Sequence, residues 1–353
     1  MPANSVFPLT PIVCGIASAA FLIFYLAPRA HDIGLIDKPS GRKTHKNPIP
    51  LVGGIAIIAA FFLSLLLLPA SLGDYRFLFL GVLILGGVGV LDDLNDISPA
   101  TKFFFQALVA IVIVKEGGLT VSNLGDIWGL GHTQSLGVLA DPITVVVIVG
   151  VINAFNMVDG LDGLVGMLAL IALGFLAYAF FTSGDYDAYQ ILLVFIFILV
   201  TFLVFNLASG KGSIPKVFIG DSGSLVLGLV VIFFLIKIGT RELEQPFRAP
   251  IAPWLIAIPI VDTVAVISIR IFDRRSPFVA DRVHLHHLLL NSGLNSVSSL
   301  LLIVGSALFT ASIGFIGGLV FNVPDRLLFS VFMALLFSYT VLRLILFNAR
   351  PSS

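Results

Sequence analysis

The chain has a single cysteine, Cys14, so no disulfide can form within it. Charge is scarce as well. Only 11% of the residues are charged, where an ordinary soluble domain carries about 25%. Lys plus Arg and Asp plus Glu balance at 20 each, which removes the basic surplus that a nucleic-acid partner demands. Internal repeats and low-complexity tracts are also missing. What remains is apolar: 58% hydrophobic residues, 31 of the residues Phe, mean hydropathy +1.07. The runs are too continuous for barrel strands, and helices are the other structure that satisfies its backbone in lipid. The composition therefore predicts an all-α polytopic integral membrane protein, one domain over residues 1–353, with the lipid bilayer as its surroundings.

Hydropathy gives about eleven transmembrane helices. They are Val6–Leu26, Leu51–Ala70, Phe77–Leu91, Phe103–Val114, Ile143–Val158, Leu164–Phe181, Ala188–Ala208, Ser222–Ile236, Pro250–Ile269, Val297–Val320 and Leu327–Phe347. The third and fourth are short for a bilayer. The first is followed by basic residues and reads as an uncleaved helix rather than a signal peptide. Lys and Arg divide fourteen to six between alternate sides, of 20 in all. The richer side is expected to be cytoplasmic, with the N-terminus outside and the C-terminus inside.

Five polar constellations fall on that richer side. One holds Asp37-Lys38-Pro39 and Arg42-Lys43-Thr44-His45; the next is Asp92-Asp93 with Asp96. The third, Asn153-Ala-Phe-Asn156-Met-Val-Asp159-Gly160-Leu-Asp162-Gly163, lies between two apolar runs. Lys216 to Ser224, with Asp221, is the fourth, and Arg270 through Asp281-Arg282 to His284-Leu285-His286-His287 is the fifth. Acids at membrane depth are costly and point to function. Asn153 and Asn156 share a helix face, as do Asp159 and Asp162 and as do His284 and His287, and the two glycines predict a break. The bland alternatives are a polar turn for the third, a solvated helix end for Asp92-Asp93, and an interfacial cluster for the histidines. Gly210-Lys211-Gly212-Ser213 lacks the pattern of a P-loop. Asp262, inside the ninth run, is either functional or a partner for Arg270.

Several acids beside several bases suit a phosphorylated substrate with a divalent cation. Mg²⁺ takes one or two carboxylates plus phosphate oxygens and water, and Lys, Arg and His⁺ neutralise the remaining phosphate charge. An ion-coupled transporter would also place acids in helices, but with paired repeats and acids near the midplane. A scaffold without activity has no use for five converging polar motifs.

These residues resemble the polyprenyl-phosphate N-acetylhexosamine-1-phosphate transferases. Asn153 through Leu164, Asp92-Asp93 with Asp96, and Ser276-Pro277-Phe278 followed by Asp281-Arg282 and the His-X-His-His string carry the resemblance, which covers most of the chain. Leu285 interrupts what is a run of three histidines in the MurNAc-pentapeptide branch, and favours the branch that uses UDP-GlcNAc and undecaprenyl phosphate. The resemblance implies transfer of GlcNAc-1-phosphate to undecaprenyl phosphate in the bacterial inner membrane, at the start of O-antigen or a related surface polysaccharide, with Mg²⁺ or Mn²⁺ as cofactor. UDP-GalNAc, a 6-deoxy amino sugar or UDP-MurNAc-pentapeptide stay open as donors, and a homo-oligomer stays open as an assembly. It implies catalytic roles for Asp92, Asp93, Asp159, Asp162, His284 and His287. It implies substrate contacts for Lys43, His45, Asn153, Asn156, Lys216, Arg270, Arg282 and His286, and metal contacts for Asp221, Asp93 and Asp159. A phosphate monoester has a second pKa near about 6, so the lipid phosphate needs little help from a base. Direct attack on the β-phosphorus is favoured; a covalent aspartyl-phosphate on Asp92 or Asp93 is the other route.

Overall fold

The computed structural model describes residues 7–37, 48–208, 213–240, 247–276 and 283–348. Each of the eleven apolar runs contains a helix. These are α1 (Leu9–Leu26), α2 (Gly53–Leu65), α3 (Arg76–Asn95), α4 (Pro99–Lys115), α5 (Ala140–Val158), α6 (Leu164–Thr182), α7 (Tyr186–Asn206) and α8 (Gly220–Gly239). The chain continues through α9 (Ala252–Leu255), α10 (Ala257–Phe272), the short α11 (Leu285–Asn291), α12 (Ser296–Leu319) and α13 (Asp325–Asn348). A two-residue hairpin pairs β1 (Ile36–Asp37) with β2 (Ile49–Pro50).

The expected eleven crossings are not reached on length. Among the described residues eight helices are long and apolar enough to span, or nine if α9 and α10 count as one broken span. With 13 residues, α2 rises about 20 Å, well short of a hydrocarbon core of about 30 Å. The ninth run bends by 80° between α9 and α10. Ile256 leaves helical geometry there at φ −124°, ψ 31°, and Pro259 brings no N–H to the first turn of α10.

Helix α8 is the axis of the bundle. Its apolar window is 89% buried, against 17% for α13. A helix that is hydrophobic all round belongs inside, and α3, α5, α2 and α6 surround this one. Three glycines let the neighbours close on its N-terminus. A Cβ on Gly89 of α3 would lie 2.2 Å from Ser222 Cα, and one on Gly54 of α2 would lie 2.3 Å from the Gly223 nitrogen. Gly220 itself sits at φ +69°, a conformation that costs an L side chain. The hairpin then ties in. Gly53 and Gly54 N–H donate to the Phe218 and Ile219 carbonyls, both at 2.9 Å, and Phe218 N–H donates to Pro50 O at 2.8 Å.

Candidate active site

The site is built where the end of α3, the start of α4 and the start of α8 meet. Asp93, in the last turn of α3, accepts from the Asp221 N–H at 2.8 Å and the Ser222 N–H at 3.3 Å. A carboxylate is stabilising at a helix N-terminus, where backbone donors have no partner within the helix. Both Asp93 oxygens are thus engaged in holding α8. Its neighbour Asp92 faces the other way. Lys102 Nζ, near the start of α4, lies 2.8 Å from Asp92 Oδ2 and 2.8 Å from Asp221 Oδ2. One ammonium therefore bridges two carboxylates from different helices. Asp92 Oδ1 is buried with no hydrogen-bond partner among the described residues.

Beside this bridge opens a cavity of about 570 Å³. Lys102, Asn153, Asn156, Asp159, Arg270 and the three histidines His284, His286 and His287 line it. The break expected after α5 is present: Val158 ends that helix, and Gly163, at φ +78°, precedes α6. Asp159 and Asp162 consequently sit in a turn and do not share a helix face. Asp159 turns to the cavity, while Asp162 makes a close ion pair with Lys216. The turn is anchored by Asn206, which accepts from the Gly163 N–H and donates to Val217 O at 2.9 Å. Asn153 donates to Gln106 and to Val149 O, and Asn156 donates to Ser224 Oγ at 2.9 Å.

His284 and His287 do not share a helix face either, because α11 begins at Leu285 and His284 is its extended cap. The rings of His284 and His286 stack at 5.7 Å, and those of His286 and His287 lie 4.2 Å apart. Leu285 packs on the hydrophobic core between them. His286 is 2% exposed, and neither of its ring nitrogens finds a partner among the described residues. Burial first, then the neighbouring His287 and His284, pushes its pKa down to about 3, so it is neutral at pH 7. Asp159 is shifted the opposite way. Protein crowds it although its edge is exposed; that enclosure, then the charges of Asp221, Asp93, Asp162 and Asp37, push its carboxyl up to about 8. Water at the open edge works against the shift.

Of the expected residues, Asn153, Asn156, Asp159, Arg270, His284, His286 and His287 line the cavity, Asp92, Asp93 and Asp221 meet beside it, and Asp162 and Lys216 pair with each other. Lys43, His45 and Arg282 lie outside the described residues. Asp262 proves to pair with Arg343, at 2.8 Å, and with His284, at 2.9 Å, rather than with Arg270. Three contributors escaped the sequence reading: Lys102, Gln106 and Asn206. Lys102 follows a Ser98-Pro99 helix start and precedes an apolar run, a place where a charge is conspicuous. It entered the reading only as a topology signal.

Residues 75–239 match the model of glycosyl transferase family 4. The chain is 37% identical over 323 residues to the undecaprenyl-phosphate alpha-N-acetylglucosaminyl 1-phosphate transferase of Haemophilus influenzae, covering 91% of this chain and 90% of that protein. The chain belongs to glycosyl transferase family 4. Proteins of the same name from Pasteurella multocida and Escherichia coli K12 are 35% and 33% identical, over 94% and 90% of this chain and 92% and 86% of theirs. Membership in a transferase family gives the acids at the end of α3 and the start of α8 an enzyme's setting. The transporter reading loses its ground.

Whether these residues fit a divalent cation is a question of donors. Among the described residues no three His, Asp or Glu side chains form a ready cage. Mg²⁺ does not need one, since it binds through one or two carboxylates plus substrate phosphates. The buried Oδ1 of Asp92 lacks a partner among the described residues, and Asp92 and Asp221 already share one cation, the Lys102 ammonium. Hard oxygen donors with unspent negative charge fit Mg²⁺ or Mn²⁺.

Proposed function

We propose that the protein transfers GlcNAc-1-phosphate from UDP-GlcNAc to undecaprenyl phosphate, giving undecaprenyl-pyrophosphoryl-GlcNAc and UMP. The observation that carries the reading is the likeness to transferases of that name over about nine tenths of both chains. The cavity beside the Lys102 bridge gives it chemistry. Asp92 and Asp221 would hold Mg²⁺ or Mn²⁺, which offsets charge on the donor diphosphate when bound. Lys102, released toward substrate, neutralises phosphate oxygens, and Arg270 is placed to do so with a planar fork. Neutral His286, whose two ring nitrogens have no partner among the described residues, can donate from one and accept at the other. Asn153 and Asn156 offer amides to sugar or nucleotide. Asp93 keeps the start of α8 in register, so Asp221 stays aimed. Phosphoryl transfer is then mostly positioning and electrostatics. The lipid phosphate, largely dianionic at neutral pH, attacks the β-phosphorus directly, and UMP leaves.

The setting we read is the bacterial inner membrane, with one domain, the N-terminus outside and the site on the cytoplasmic face. The fourteen-to-six division of Lys and Arg, of 20, supports that orientation. In a Cys14→Ser background, an impermeant thiol reagent on intact cells should label Glu116→Cys and leave Ser276→Cys untouched. The reverse pattern overturns the orientation.

The test of function is purified protein with radiolabelled UDP-sugars and undecaprenyl phosphate, scored for lipid-linked product. UDP-MurNAc-pentapeptide keeps the acetamido group but carries a lactyl-peptide ether in place of the 3-hydroxyl, so a site that hydrogen-bonds that hydroxyl rejects it strongly, because its own polar group would be left unpaired. UDP-GlcNAc should outpace UDP-MurNAc-pentapeptide by on the order of 10²-fold or more. Faster transfer from UDP-MurNAc-pentapeptide removes the proposed donor and leaves the phosphoryl chemistry standing. Trapping of a phospho-enzyme with UDP-GlcNAc alone favours the covalent route instead.

A further inference from the structure

Helix α13 is the least buried of the candidate spans, yet it carries a buried arginine. Arg343 is 3% exposed, and Asp262 of α10, its partner at 2.8 Å, is 1% exposed. A charged pair at this depth is costly, and a well-packed apolar pair would fasten α13 to α10 at least as firmly. Anchoring alone does not explain it. The geometry around the pair does.

Asp262 gathers donors from two elements, α11 with its cap and α13. Its Oδ2 lies 2.9 Å from His284 Nδ1; its Oδ1 accepts from the Leu285 N–H at 2.9 Å, from Tyr339 Oη–H at 3.1 Å and from Arg343 Nη1. Arg343 also donates to Tyr339 Oη at 2.6 Å, and its other terminal nitrogen donates to the Val283 carbonyl. His284 is therefore gripped on three counts: the carbonyl before it, the N–H after it, and its own ring. A carboxylate can only accept, so Nδ1 must carry the hydrogen. The other nitrogen, Nε2, is left to the cavity that His284 lines. The same logic orients a histidine in many enzymes, where the partner acid fixes ring and tautomer without touching substrate. Here Arg343 steadies that acid, and it comes from a helix 81 residues away in sequence from Asp262.

We infer that Arg343 and Tyr339, acting through Asp262, are positioning residues that hold His284 with Nε2 presented to the donor phosphates, which makes the C-terminal helix a working part of the transfer site. This rests on the transferase reading above for what His284 touches. It does not rest on that reading for how His284 is held.

Two measurements separate those layers. The first needs no activity. In full-length protein labelled with ¹⁵N-histidine, six histidines give signals, and His284→Gln identifies the one that matters. That signal should show a hydrogen-bonded Nδ1–H in the wild type. It should move or split in Asp262→Asn and in Arg343→Met, an apolar replacement chosen to keep the packing. An unchanged His284 signal in both variants, at wild-type melting temperature, overturns the inference. The second is kinetic. Arg343→Met should lower kcat on the order of 10- to 100-fold, as loss of an outer-shell orienting group does, with KM for undecaprenyl phosphate little changed. Arg343→Lys should recover part of the loss. In a His284→Ala background, Arg343→Met should add almost nothing, because its effect passes through that ring. If the two losses multiply, Arg343 acts elsewhere and the inference fails. If the wild type makes no lipid-linked product, the function is wrong, and the ¹⁵N spectra still decide the positioning.

Discussion

Asp221→Asn should leave a folded protein that has lost on the order of 10²- to 10³-fold in kcat, the scale on which one preorganised electrostatic group matters. Asp221 stands in the first turn of α8 and shares Lys102 with Asp92. The amide keeps an oxygen in place but removes half of the charge that draws a cation to that point. Lys102 would then serve Asp92 alone. The competition between Lys102 and a divalent ion shifts toward the lysine, so raising Mg²⁺ should recover some activity in the variant while the wild type is already saturated. Folding should survive, because the contact that fixes α8 here is made by the Asp221 backbone N–H to Asp93, at 2.8 Å, and asparagine keeps that N–H. The pair is partly open to water, so loss of its ionic part costs stability little. Near-normal turnover at limiting Mg²⁺ would take Asp221 out of the metal reading altogether.

Much of this arrangement was legible beforehand, and the failures have physical causes. Apolar runs located every helix but the short α11, because burial in lipid needs nothing subtler than hydropathy. They could not set the crossing count, because a 13-residue helix such as α2 and the 80° break at Ile256 are decided by neighbours. The acids and the histidine string announced themselves by being costly where they stood. Which oxygen faces what did not. Asp92 and Asp93 are adjacent in sequence, yet one caps α8 and the other meets Lys102, a difference set by a helical rotation of about 100° per residue. Asp262 left two readings open, a functional acid or a partner for Arg270 two turns along its own helix. Its actual partner, Arg343, comes from another helix, a long-range pairing that local spacing cannot reveal. Lys102 was missed for the opposite reason: it looked too ordinary, a lysine at a membrane edge.

Gly89→Ala should be the most damaging single-methyl change near the site, though Gly89 has no side chain to offer a substrate. Its added Cβ would lie 2.2 Å from Ser222 Cα, 2.3 Å from the Ser222 nitrogen and 2.6 Å from the Asp221 carbonyl carbon. All three are backbone atoms at the start of the most buried helix. No side chain can rotate away, so α3 and α8 must part. Overpacking a close contact costs about 1–3 kcal/mol, and relief through backbone alone belongs at the upper end of that range. The movement has a particular direction. It separates the helix that carries Asp92 and Asp93 from the helix that carries Asp221, stretching the two Asp93 bonds to the α8 N-terminus and widening the gap that Lys102 spans. A misplacement of about 1 Å in such a constellation costs on the order of 10²-fold in rate. Gly87, two residues earlier, meets nothing within 4 Å and makes the control. Gly87→Ala should keep both the melting temperature and kcat, and on helix propensity alone should gain slightly. Thermal unfolding of the detergent-purified variants, run beside the product assay, checks both halves. Wild-type stability and turnover in Gly89→Ala would mean that α3 and α8 do not close on one another as described, and the Asp92–Lys102–Asp221 bridge would lose its scaffold.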